Sequence, residues 1–388
     1  MKKISFILVL GLLMACDSQK ESATTEQAME PHLEAVQKEF APDSRVVLFD
    51  LEQKGNVLKG ETNQPKAKQA LLERLQKENI DFVDSIEVLP TKEFEGTTGV
   101  INLSVANLRS SRGHSSELST QATMGTPVKV YKKTRGWYFV QTPDNYLAWV
   151  DGGGLTLMNE NKFSEWKNKP KIIYTKAYGF SHEKKDKEAG TVSDLVYGDV
   201  LSLEGEEKGF YAVSFPDGRT GYVATDEAIA YDEWVNQQEP SGENLVRISK
   251  QFLGLPYLWG GTSFKGVDCS GFTKTVYFLN GLILPRDASQ QVNIGETVDT
   301  SNGWKNMEKG DLLFFGSPAK DGRPERVVHV GMWIGGDEEF IHSSGKVRIS
   351  SMNPNADNYD ESQLNRFLRA KRITPDDVVI DLRETKLY

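Results

Sequence analysis

Gly266-Val267-Asp268-Cys269-Ser270-Gly271-Phe272 is the stretch around which the chain organises itself. After it, Phe272, Val276 and Leu279 recur at helical spacing, and Asn280-Gly281 supplies a helix stop. The thiol of Cys269 is therefore expected at a helix N-terminus. Unsatisfied backbone N–H groups and the helix dipole favour thiolate over thiol there, and the thiolate is the nucleophile.

Cysteine usage gives this position more weight. The 388 residues contain two cysteines, 46 Lys+Arg and 55 Asp+Glu, for a formal charge of −9. Two thiols exclude a disulfide-stapled scaffold and a four-thiolate metal site. An acidic balance without a basic block argues against nucleic acid as a partner and against tight binding to an anionic polymer. Lys2 and Lys3 precede an apolar run from Ile4 to Ala15, which is shorter than the roughly 20 residues of a membrane-spanning helix. It reads as a secretory signal. Its end, Leu13-Met14-Ala15-Cys16, resembles the bacterial lipobox, whose cysteine becomes the lipidated first residue. The alternative is a plain signal peptide with a chance cysteine. Lipidation would anchor the chain to a membrane, facing the periplasm or the cell surface. Cys269 would then be the remaining thiol of an exported chain, kept unpaired in an oxidising compartment.

Five histidines are present, two of them downstream of Cys269. His329 begins His329-Val330-Gly331-Met332-Trp333-Ile334, and His342 lies in Phe340-Ile341-His342-Ser343. Both segments alternate like strands. With Gly336-Asp337 as a two-residue turn, Gly331 falls opposite His342 and the two histidines share a face, roughly 7–8 Å apart at Cα. A one-residue slip would put the rings on opposite faces. This arrangement suits a nucleophile, a base and a group that orients the base. Inert core roles, or a Cys-His-His zinc site, are the rival readings. Spacings of 60 and 13 residues show no local metal-ligand pairing, so no metal or cofactor is expected.

Upstream the chain divides by composition. Residues 1–16 form the signal and 17–30 a polar tether. Residues 31–97 read as a small ββαβ module: strands at Val46–Leu51, Val57–Thr62 and Phe82–Leu89, and a helix opened by Pro65. Next comes an internal repeat. Gly136–Val150 (GWYFVQTPDNYLAWV) and Gly209–Val223 (GFYAVSFPDGRTGYV) align without a gap at an offset of 73 residues, which also matches Gly125 to Gly198. Short strands around a Pro-Asp turn suggest two small β-barrels, 98–160 and 170–235. They resemble the bacterial SH3-type domain. Gln237–Glu243 is a Pro/Ser/Gly linker, and 244–374 mixes helix and strand.

The last segment resembles the NlpC-type cell-wall peptidases, a papain-like family of bacterial cysteine endopeptidases. Pro256-Tyr257-Leu258-Trp259-Gly260-Gly261, the Cys269 stretch, Leu284–Gln290 (LPRDASQ), Gly310–Phe315 (GDLLFF), His329–Met332 and Ile341–Ser344 carry the likeness, in order. The overall expectation is an α+β chain: a papain-like C-terminal domain behind two SH3-type barrels and the small module. The resemblance implies a Cys269–His329–His342 triad, with Tyr257 near the oxyanion. The branch with two SH3-type domains resembles γ-D-glutamyl–diamino acid endopeptidases acting on peptidoglycan stem peptides with a free N-terminal L-Ala. In that branch Asp268, Ser270 and Ser289 would line the substrate site, Asp268 helping to receive the alanine ammonium. Glu117 and Tyr146 would come from the first barrel, which caps the cleft. An amidase or acyltransferase on the same core, and a non-catalytic wall-binding lipoprotein, are the competing functions.

Overall fold

The structure is a computed structural model that describes residues 28–91, 94 and 96–388. Cys16, the signal and most of the tether lie outside the described residues. Two compact units result, divided after Phe94.

In the first unit, Phe49–Lys54 and Val57–Thr62 pair antiparallel across the Gly55-Asn56 turn. The helix Pro65–Lys77 then crosses back so that Val83–Val88 lies parallel to Val57–Thr62. The expected ββαβ order is present but incomplete, because residues 28–40 form a helix ahead of it. Met29 and Val36 are fully buried against Leu58, Leu71 and Leu75, with Leu33 and Phe40 packed alongside. Met29, Leu33, Val36 and Phe40 keep the helical period, so the helix is written in the sequence. The tether reading to Glu30 is corrected here: its last three residues belong to this helix.

The second unit opens with the repeat. Thr98–Ile101, Val105–Arg109, Leu118–Thr123, Pro127–Thr134, Trp137–Gln141, Leu147–Asp151 and Leu155–Met158 form one seven-stranded sheet. Adding 73 to every boundary but the last, which falls one residue short, yields the seven strands of the next sheet, Lys171–Tyr174 through Ala228–Ala230. The strand order is also the same. Numbering each set one to seven, both run 7-1-4-5-6-2-3. Even the register shift between Val130 and Lys132 recurs between Leu203 and Gly205. A helix, Glu160–Asn168, joins the two sheets and buries Trp166.

The remainder is a six-stranded antiparallel sheet in the order Glu296–Val298, Phe367–Arg372, Leu312–Ser317, Arg326–Gly335, Glu339–Ser344, Lys346–Ser351. The apolar run Leu312–Phe315 serves both faces at once. Leu312 and Phe314 join Phe272 and Val276 of the Cys269 helix, while Leu313 and Phe315 pack with Trp333, Phe340 and Met352. A strand buried on both sides reads as a continuous hydrophobic stretch. Order continues past residue 374: Ile380–Asp381 pairs with Leu282–Ile283, and Tyr388 is buried against Tyr231.

Candidate active site

Cys269 is the first residue of the helix Cys269–Phe278, and Asp268 is its N-cap, accepting from the Gly271 N–H at 2.6 Å. The chain reaches this helix through a short hairpin, Thr262–Ser263 paired with Gly266–Val267. Cys269 packs against Val330, the residue after His329. Burial pushes the thiol up to about 11, and the Asp268 charge adds to this. The N–H groups of Val330 and Ser270 pull the other way and lose. Burial thus opposes the pull of the helix terminus toward thiolate, because the thiol is only 7% exposed.

His329 and His342 come together. His329 Nε2 and His342 Nδ1 are 2.8 Å apart, and burial holds both imidazoles down to about 3. Burial thus favours the neutral form of the thiol and of both rings. Met332 pairs with Ile341, which puts Gly331 opposite His342 as expected. The turn itself differs. Gly335 pairs with Glu339 around a three-residue loop, and a bulge between Trp333 and Gly335 restores the register. Glycine is required at position 331: a Cβ there would sit 2.9 Å from the Phe340 ring and 3.2 Å from His342 Cβ. Because the rings spend these nitrogens on each other, they do not converge on a metal. Among the described residues no group of three or more His, Cys, Asp or Glu is arranged to hold one.

Tyr257 is half-buried. Burial and the neighbouring Cys269 and Asp268 raise its phenol, which stays a hydrogen-bond donor. Asp268 behaves differently from its expected role. Its carboxylate accepts five hydrogen bonds: from the N–H groups of Gly260 and Gly271, from Ser270 Oγ, and from Arg286 Nη1 and Nη2 at 3.1 and 2.5 Å. An ammonium arriving at Asp268 would displace partners already in place. Arg286 is 1% exposed; burial alone would lower its pKa, but the Asp268 charge more than offsets this. Ser270 Oγ accepts from the same guanidinium at 3.1 Å. Ser289 lies in the short helix Ala288–Gln291, capped by Asp287, and its carbonyl accepts from Asn293.

Both first-sheet positions singled out from the sequence reach this region. Glu117 accepts from Trp259 Nε1 at 2.7 Å, and Tyr146 donates to Asp287 Oδ2 at 3.2 Å. Sequence reasoning missed the rest of that seam. Gln121 Oε1 accepts from Thr262 N and Ser263 Oγ, Arg286 Nε donates to Thr120 Oγ1, and Asp144 faces Lys274 of the Cys269 helix at 3.4 Å. Arg286, Asp287 and Trp259 stood inside the quoted motifs. What marks them, a partner in another layer, has no signal in local spacing.

The NlpC/P60 family signature matches residues 254–366, which contain all of these peptidase-side groups, and the bacterial dipeptidyl-peptidase SH3 domain matches 108–155. A gamma-D-glutamyl-L-lysine dipeptidyl-peptidase of Bacillus cereus is 32% identical over 271 residues, covering 68% of this chain and 77% of the relative. The chain belongs to the NlpC/P60 family. A Bacillus subtilis protein of the same name is 30% identical over 58% of this chain and 72% of its own length. The crystal structure of an NlpC/P60 family protein from Bacillus cereus covers 72% of this chain and all of its own, with a TM-score of 0.60 and 26% identity. As an NlpC/P60 protein the chain has a papain-like, mixed α+β fold preceded by an SH3 domain, and it is a peptidase.

Proposed function

We propose that the protein is a cysteine endopeptidase that hydrolyses the γ-D-glutamyl–diamino acid amide of peptidoglycan stem peptides. Its substrates would be fragments with a free N-terminal L-Ala. The observation that carries this reading is Cys269 at a helix N-terminus beside the hydrogen-bonded His329–His342 pair, under a covering SH3-type sheet. The names of the Bacillus relatives support the bond cleaved.

His329 Nδ1 takes the proton of Cys269 Sγ as sulfur attacks the carbonyl carbon. Because burial favours the neutral thiol and imidazole, deprotonation and attack proceed together. The Cys269 N–H and the Tyr257 hydroxyl donate to the oxyanion. The C–N bond then breaks, and the leaving amine carries away the proton held by His329. Water attacks the thioester, giving one proton to His329 and its hydroxyl to the new carboxylic acid, which releases the second proton to solvent. Sulfur recovers the proton and the cycle closes.

Selection for a free amine is assigned to the seam. Glu117 and Asp287 are the acids there, with Tyr146 beside Asp287, whereas Asp268 acts as the structural cap. Ser270 and Ser289 line the acyl side. The sheet from Lys171 to Ala230 is a second SH3-type domain by its strand order and 73-residue offset. Cys16 is the lipidation site of an exported protein anchored facing the periplasm or cell surface.

Purified Cys269→Ala should lose at least about 10³-fold in cleavage of an L-Ala-γ-D-Glu-diamino acid tripeptide. Mass spectrometry of the products, with free and N-acylated peptides as a panel, checks the bond and the amine requirement. Unchanged turnover, or a product cut at the sugar–alanine bond, would overturn the proposal.

A further inference from the structure

We infer that Ser350 and Asp360 are positioning residues that fix the ring tautomer of His342 and, through it, that of His329. The inference rests on His329 acting as the base for Cys269, and it extends the site by two residues that touch neither substrate nor thiol.

The strand Lys346–Ser351 lies beside the His342 strand, with His342 opposite Arg348 and Phe340 opposite Ser350. Ser350 is therefore the diagonal neighbour of His342 on one face. Its Oγ lies 3.1 Å from His342 Nε2 and 3.5 Å from Asp360 Oδ2. His342 is fully buried and Ser350 is 3% exposed, so each ring nitrogen must find its partner within the protein.

The proton positions follow in order. His329 Nε2 faces His342, so Nδ1 is the nitrogen left to receive a proton from the thiol. Nδ1 must then be bare, and a neutral His329 carries its hydrogen on Nε2, donating it to His342 Nδ1. A neutral His342 must in turn carry its hydrogen on Nε2 and needs an acceptor there. Ser350 Oγ can accept, provided its own hydrogen points elsewhere, and the Asp360 carboxylate draws it away.

Arg348 makes the arrangement consequential. Its Nε–H lies 3.4 Å from the same His342 Nε2 and can only donate. If that contact won, the hydrogen of His342 would move to Nδ1. His329 would then be driven to carry its hydrogen on Nδ1, where it cannot take a proton. Asp360 opposes this twice, by orienting Ser350 and by holding Arg348 Nη2 at 3.0 Å. Asp360 is itself fixed, since its Oδ1 caps the turn Glu361–Leu364 by accepting from Gln363 N. The other charged group facing the pair, Arg366, does not reach His342 Nε2 by any bond among the described residues.

Asp360→Asn keeps the Oδ1 cap and removes the negative charge, so it tests the relay without removing the fold. In the full chain, kcat should fall roughly 10- to 100-fold with KM unchanged, the direction expected when a triad histidine is left in the wrong tautomer. Arg348→Met added to Asp360→Asn should restore most of the lost kcat, because the competing donor is gone. Ring 15N shifts of histidine-labelled protein read the tautomers without substrate. His329 and His342 should both be protonated at Nε2 in the parent, and His342 should move to Nδ1 in Asp360→Asn. Unmoved shifts, or a double variant no better than the single one, would overturn the inference. If the shifts move as stated while the parent does not cleave the tripeptide, the relay stands and the substrate assignment falls.

Discussion

The two seven-stranded sheets share strand order, bulges and a constant 73-residue offset, yet equivalent positions do different work. Tyr146 of the first sheet reaches Asp287 beside the active site; its equivalent in the second, Arg219, donates to the Asn102 carbonyl of the first sheet. Gly125 lies against Val200 of the second sheet, while Gly198 lies against Phe278 of the Cys269 helix. Gln121 grips Thr262 and Ser263, and its equivalent Asp194 pairs with Lys265 one step along the same hairpin. One backbone design is thus used twice. Both copies touch the Cys269 helix or its hairpin, but Tyr146 of the first reaches Asp287 while the equivalent Arg219 turns to its sister sheet, so location and not fold decides what each position does.

The largest expected effect is a control in which the sheets play no part. The folded pKa values of His329 and His342 lie near 3, below the unfolded value near 6.5, so the unfolded chain binds more protons between these limits. Stability from the buried rings is present above about pH 6.5 and is lost as pH falls toward 3. The loss should be at least about 1.4 kcal/mol per pH unit. Tm measured from pH 7 to 4 checks this, and His342→Gln should flatten the slope. A steep slope retained in His342→Gln would move the acid response elsewhere.

The glycine pair sharpens the comparison. Gly125 has φ +82°, and a Cβ would sit 2.3 Å from the Val200 carbonyl oxygen. Gly198 has φ +100°, and its Cβ would sit 2.8 Å from a Phe278 ring carbon. A backbone carbonyl cannot step aside, whereas a ring can turn. Gly125→Ala should cost about 3 kcal/mol or more, and Gly198→Ala about half that, by denaturant midpoint. Equal losses would break the distinction between a backbone neighbour at Gly125 and a side-chain neighbour at Gly198.

The smallest effect separates the Pro-Asp turns. Asp144 is buried and accepts from Thr142 while facing Lys274; its equivalent Asp217 pairs with Arg219 at the surface. Asp144→Ala should cost about 2 kcal/mol, since it strands a partly buried lysine, and it should raise KM by loosening the cap. Asp217→Ala should cost about 0.5 kcal/mol or less and leave KM unchanged. Kinetics on both variants would sink the assignment of the cap if the order were reversed.

How much of this was legible differs residue by residue. The Cys269 helix, the register that joins His329 to His342, and the repeat were readable because each depends on local period or direct self-similarity. The helix at 28–40 was equally readable in the spacing of Met29, Leu33, Val36 and Phe40, but the polar residues between them resemble a tether. The hairpin turn was misjudged by one residue, and the bulge cancelled the error.

The remainder waited for the third dimension. Residue type and spacing nominated Cys269, His329 and His342, because a thiol at a helix start and two histidines on adjacent strands are near-neighbour facts. Desolvation, by contrast, depends on everything packed around a group. Only the tertiary structure decided that burial raises the Cys269 thiol, that Asp268 is held by Arg286, Ser270 and two backbone N–H groups, and that the first of two like sheets bonds to Asp287 and Trp259.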